Sequence, residues 1–106
     1  MSNQYRSNLD YLSNYRSVAG KVKEIVGRID PNARVYVFGS VVRGRYTAFS
    51  DIDILVVTEK ISLKYDMMVA VYKELLDAPI QLHVATPEAY ERWYKRFIQP
   101  GEIIEV

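Results

Sequence analysis

Cysteine is absent from the 106 residues, which excludes a disulfide frame and any thiolate metal site and suits a reducing compartment. A surplus of either charge is also absent. Fourteen Lys and Arg against thirteen Asp and Glu leave a formal net charge of +1, without the basic excess that a nucleic-acid-binding domain shows. No apolar run approaches the length of a membrane span, and the polar start MSNQYRSN lacks a signal-peptide core. A cytoplasmic protein with no membrane partner and no clear nucleic-acid partner is therefore expected. Glycine-rich phosphate loops are missing too: the chain holds no G-x-G-x-x-G, and no glycine loop ending in Lys-Ser/Thr follows a strand. That excludes dinucleotide-fold and Walker-type sites. With no repeat, low-complexity tract or Pro/Gly-rich linker, residues 1–106 are expected to form a single domain with one modest core.

What is present is clear hydrophobic patterning. Between Asn3 and Ile29, Tyr5, Leu9, Leu12, Tyr15, Ala19, Val22, Ile25 or Val26, and Ile29 recur in steps of three and four. This is one face of an amphipathic helix, with a break expected near Gly20. Asp30-Pro31-Asn32 stops it. VYVF (35–38) and ILVV (54–57) are strand-like, and IQLHV (80–84) alternates as a third strand. Between the last two, Tyr65, Met68, Val69, Tyr72, Leu75 and Leu76 predict a helix capped by Ser62 and running to about Asp77. Thr86-Pro87-Glu88 is a helix start with a capping hydroxyl, proline at the first helical position and an acid near the positive end. The helix it opens carries Tyr90, Trp93, Tyr94 and Phe97 in a stripe read mainly as core, with an interface as the other reading. The tail EIIEV is too short to place. The order α-β-α-β-α-β-α predicts an α/β (α+β) fold, with one small mixed sheet and helices packed mainly on one side.

Chemistry concentrates between Val35 and Val57. The first strand ends at Phe38, and Gly39 then permits a sharp turn or a close approach where a Cβ would collide. Ser40 follows, offering an amide and a hydroxyl. A short helix over Val41–Arg43 would aim free N–H groups and the positive end of its dipole at an anion held in that corner. Ser50-Asp51-Ile52-Asp53 leads into the next strand. Residues i and i+2 of a strand share a face, so the Asp51 and Asp53 carboxylates are expected side by side. Their mutual repulsion is relieved by a hard divalent cation that also takes phosphate oxygens.

In this order and spacing, Gly39, Ser40, Arg43, Gly44, Ser50, Asp51 and Asp53 resemble the motif of the nucleotidyltransferase superfamily of the polymerase-beta type. The chain is similar to its minimal, single-domain branch (MNT). The resemblance implies the nucleotidyltransferase fold and transfer of a nucleoside monophosphate, expected to be AMP, from a metal-bound NTP to an acceptor hydroxyl. It implies Mg²⁺ or Mn²⁺ on Asp51 and Asp53, and phosphate on Gly39, Ser40 and Arg43. It also implies a small helical partner of the HEPN type, with this chain as the antitoxin of a toxin-antitoxin pair, and leaves a homo-oligomer open.

One departure stands out. Active members of the family usually supply a third carboxylate from a later strand, and here the aligned position is Gln81, which is neutral. Glu59 lies roughly 20 Å beyond Asp53 along the strand and cannot replace it. His83 shares the face of Gln81 and is either a weak ligand or base, or a histidine bonded to a carbonyl. Ser50 is expected to orient Asp51. Arg43 is expected either to touch phosphate or to brace the corner. The alternative to an enzyme is a catalytically weak or inactive partner-binding module that retains nucleotide and metal binding. A purely structural or dimer-forming domain leaves the paired acids unexplained.

Overall fold

The computed structural model describes residues 3–106, with the side chains of residues 3–5, including Tyr5 of the helical stripe, outside the described part. Two helices open the chain, α1 (Asn3–Ser13) and α2 (Tyr15–Ile29). The break falls at Asn14, not at the expected Gly20. The Asn14 side-chain amide donates to the Asp10 carbonyl at 2.8 Å and its backbone N–H donates to the same oxygen at 3.1 Å. This is local competition that asparagine offers and glycine does not.

Four strands follow: β1 (Arg34–Phe38), β2 (Ile52–Val57), β3 (Ile80–Ala85) and β4 (Ile103–Glu105). They form one sheet in the order β3-β2-β1-β4. β1 is antiparallel to both β2 and β4, whereas β2 and β3 are parallel. The parallel pair is joined by a short 3₁₀ turn (Ile61–Leu63) and helix α4 (Lys64–Glu74). Ser62 lies inside that turn and caps nothing, and α4 ends three residues before Asp77. The tail that the sequence left unplaced is β4. Glu105 accepts a two-pronged bond from Arg34 at 2.6 and 2.8 Å, and the Val106 N–H donates to the Val35 carbonyl at 3.0 Å.

Strand alternation sorts the side chains without exception. Val35, Val37, Ile52, Ile54, Val56, Ile80, Leu82 and Val84 point to one face and join Leu12, Val22, Val26, Met67 and Val71 from the helices in the larger core. The opposite face carries Tyr36, Leu55, Val57 and Ala85, covered by the C-terminal helical segment through Tyr90 and Tyr94. Helices therefore lie mainly on one side, as the pattern predicts, with one short segment on the other. Among the described residues no helix is long and apolar enough to cross a membrane.

Asp30, 2% exposed, pins the end of α2 to the end of β2. Its carboxylate accepts the Thr58 hydroxyl at 2.5 Å and the Asn32 N–H at 3.0 Å. The Thr58 hydrogen bond is the main cause holding its carboxyl below the usual range, helped by Asn32 and by the charge of Lys60 and opposed by burial. Asp30→Ala leaves the buried Thr58 hydroxyl without its acceptor and should cost about 2–3 kcal/mol at pH 7. A folded-state pKa below the ordinary 3.8 means the contribution is complete above that pH and disappears as pH falls through the lower folded value. Urea unfolding of the two proteins should show a gap at pH 7 that narrows at pH 3. An equal gap at both would contradict this origin.

Candidate functional site

Gly39 makes the corner between β1 and a four-residue helix, α3 (Ser40–Arg43). Its backbone has φ +87° and ψ −156°, a conformation essentially restricted to glycine. A Cβ built there would lie 2.3 Å from Asp53 Oδ2. The missing side chain is thus the space that the Asp53 carboxylate occupies, which brings one acid directly against the glycine-serine bend. The register agrees, since Asp53 is the Cα partner of Phe38.

The short helix departs in detail from expectation. The amides of Val42 and Arg43 both donate to the Gly39 carbonyl, at 3.1 and 3.3 Å. The N–H groups left to face an anion are then those of Ser40 and Val41. Gly44, at φ +72°, closes α3 in the left-handed conformation, donating to the Ser40 and Val41 carbonyls.

The two acids are placed differently from one another. Asp53 lies inside β2 and its side chain is 30% exposed. Asp51 precedes the first strand residue, Ile52, and is exposed. It stands at the mouth of the strand, one residue ahead of the first strand position. Ser50 closes the turn just before it: its N–H donates to the Thr47 carbonyl and its hydroxyl oxygen accepts the Thr47 N–H, both at 3.0 Å. Ser50 therefore shapes the loop that delivers Asp51.

Gln81 is the Cα partner of Asp53 in the parallel β2/β3 pair, so the two side chains share a face and Gln81 occupies the position next to the acid. His83, one step further along that face, has Nε2 3.8 Å from Asp53 Oδ1, beyond hydrogen-bonding distance. Its ring packs against Phe38 at 5.5 Å and Tyr94 at 6.1 Å. Arg43 faces Glu102 at 3.6 Å, a loose exposed pair that an arriving anion can replace.

A cleft of about 470 Å³ opens on this face, lined by Phe38, Gly39, Arg43, Asp53 and Glu102 together with Trp93, Tyr94, Phe97 and Ile98 from the C-terminal segment. Of the residues singled out from the sequence, the cleft gathers Gly39, Arg43 and Asp53. Ser40, Ser50, Asp51, Gln81 and His83 are not among its lining residues. Glu102 and the aromatic wall went unanticipated as site residues. The wall's signal in the sequence is the aromatic stripe, read there mainly as core with an interface as the other reading, and Glu102 has none.

Such a donor set suits a cation only in part. Among the described residues no three acidic, histidine or cysteine side chains cluster as a cage. Asp53 and Asp51 offer hard oxygens, which fit a small divalent ion that takes its remaining ligands from water and substrate phosphate.

The model of the nucleotidyltransferase domain matches residues 19–103, spanning the corner, both acids and strands β1 to β3. The chain belongs to the nucleotidyltransferase domain family. This nucleotidyltransferase domain is similar to a crystal structure assigned to the nucleotidyltransferases, at 30% identity and TM-score 0.67, covering 82% of this chain and 95% of the other. A second structure with that assignment, from Sulfolobus solfataricus, is 21% identical at TM-score 0.61, covering 99% of this chain and 87% of its own. The latter likeness is one of fold. No curated protein matches the chain significantly.

Proposed function

We propose that this domain binds a metal-complexed NTP, with ATP the nucleotide that the resemblance implies, and transfers its nucleoside monophosphate to an acceptor hydroxyl. The observation that carries the reading is the Asp53 carboxylate seated in the space left by the missing Gly39 side chain. A carboxylate oxygen at this corner would hold a metal near backbone N–H groups suited to phosphate.

In the transfer, the acceptor oxygen attacks the α-phosphorus as the bond to the bridging oxygen breaks. Pyrophosphate leaves and the hydroxyl proton passes to solvent. Mg²⁺ or Mn²⁺, when bound, neutralises phosphate charge and makes the acceptor hydroxyl more acidic. Asp53 and Asp51 would hold that ion. The Ser40 and Val41 amides would steady the terminal phosphates, and Arg43 would exchange Glu102 for phosphate oxygen. The acceptor hydroxyl would be brought by a partner, and the resemblance suggests a small helical HEPN-type protein, modified or simply neutralised by this chain.

The neutral Gln81 beside Asp53 favours a second reading, a partner-binding antitoxin module that retains nucleotide and metal but transfers slowly. Calorimetry of ATP binding with Mg²⁺ and with EDTA tests what the two readings share: binding should be at least about tenfold tighter with the metal, given the charge to be neutralised. Equal binding in both would overturn the site assignment. Labelled ATP incubated with the domain and its candidate partner then separates the readings by whether label enters protein.

A further inference from the structure

Four aromatic residues recur along the C-terminal segment, and the structure splits them into two pairs. Tyr90 stacks on Tyr36 at 5.0 Å, and Tyr94 meets Phe38 and His83 edge-on at 6.4 and 6.1 Å. These two fasten the segment to the sheet. Trp93 and Phe97 are left 56% and 78% exposed, on the wall of the cleft that holds Asp53 and Gly39.

The split has a backbone cause. Residues Tyr90–Tyr94 form a π turn, in which the Lys95 N–H reaches back five residues to the Tyr90 carbonyl. The wider turn interrupts the α register that would otherwise keep the stripe on one face, and such turns are frequent at functional sites. Two large apolar rings held open to water cost free energy unless something covers them.

We infer that Trp93 and Phe97 are the base-stacking wall of the nucleotide site, with the triphosphate at the Gly39–Asp53 end of the cleft and the nucleobase on the indole and phenyl rings. The inference rests on the nucleotide reading above. The cleft volume lies within the range of small-molecule sites, and its make-up, apolar walls with a few convergent polar groups, is that of a ligand pocket. Its charged lining is Arg43, Asp53 and Glu102, and its other side chains are apolar or aromatic, which suits a flat, weakly polar group beside a charged one. A base offers a π-face suited to such rings without needing hydrogen-bond readout.

Trp93 is the sole tryptophan of the chain, so its fluorescence reports the wall directly. Mg-ATP should quench that emission, whereas Mg-tripolyphosphate, which lacks a base, should bind in competition with ATP and leave it unchanged. Trp93→Ala should weaken Mg-ATP about tenfold and leave tripolyphosphate affinity as in the parent. Phe97→Ala, which keeps the reporter, should weaken ATP and reduce the quench. Both rings are exposed, and circular dichroism verifies that the variants fold. Calorimetric binding of Mg-ATP with no change in Trp93 emission and no loss in Trp93→Ala would overturn the wall while sparing the nucleotide reading. Failure of both ATP and tripolyphosphate to bind would remove that reading and this inference together.

Discussion

Gly39→Ala is expected to cost about 2–6 kcal/mol of stability and to abolish detectable Mg-NTP binding, although it adds one methyl group. Two effects combine at this position. An L-residue at φ +87° and ψ −156° carries a backbone strain of about 1–3 kcal/mol. The added Cβ would also lie 2.3 Å from Asp53 Oδ2 and 3.2 Å from Asp53 Cγ, so either the corner opens or the carboxylate swings away. An overpacked contact of this kind costs a further 1–3 kcal/mol or so. Whichever part yields, the acid no longer sits against the bend. Gly44→Ala is the control, because that residue also has positive φ, +72°, but its Cβ meets no atom within 4 Å. It should lose about 1–2 kcal/mol from left-handed strain alone and bind Mg-ATP as the parent does. Urea melts and calorimetry on the two variants separate backbone strain from displacement of Asp53. Matching stability losses with undiminished ATP binding by Gly39→Ala would show that the contact has no bearing on the site.

The large core was legible because strands declare themselves by alternation and helices by steps of three and four. Val35 and Val37, Ile52 and Ile54, and Leu82 and Val84 all face where their parity puts them. The sequence was weaker wherever a single hydrogen bond decides. Asn14 breaks the first helix through its bond to the Asp10 carbonyl, while Gly20, the conventional suspect, sits undisturbed within α2. The tail forms β4 because β1 offers it an open edge some 65 residues earlier in the chain, and three residues are too few for periodicity to reveal. At the site, spacing brought Asp53 to the corner by a nearest-neighbour register that a strand pair enforces. The same spacing holds Asp51 less firmly than Asp53, since pairing fixes the face of strand residues and β2 begins between the two. The aromatic stripe was read mainly as core, with an interface as the other reading, for a third reason. A π turn shifts backbone bonding without altering residue order, and it moves Trp93 and Phe97 out of the core stripe that i, i+3 and i+4 counting assigns them.

Asp53→Asn should reduce nucleotidyl transfer by roughly a thousandfold, the several kcal/mol that a correctly held metal supplies, and remove most of the metal dependence of ATP binding. Stability should change by less than about 0.5 kcal/mol, because asparagine keeps the shape that fits against Gly39 and the side chain is partly exposed. The converse change is Gln81→Glu. Gln81 pairs in register with Asp53 and is exposed, so the new carboxylate enters the same face one strand away without disturbing the core. In metal-free buffer it adds a like charge beside Asp53 and should lower the melting temperature. With Mg²⁺ present the three acids form a stronger site, and binding restricted to the folded state raises stability by mass action. The melting temperature of Gln81→Glu should therefore climb more steeply with Mg²⁺ than that of the parent, and transfer should rise roughly tenfold if an anionic ligand is what the site lacks. A Mg²⁺ titration of both proteins by calorimetric melting, followed by labelled-ATP transfer, reads the two effects separately. Steeper Mg²⁺ dependence without faster transfer would assign this chain to the binding role. If neither changed, Gln81 would lie outside the metal's reach and the neutral residue would have no part in setting the rate.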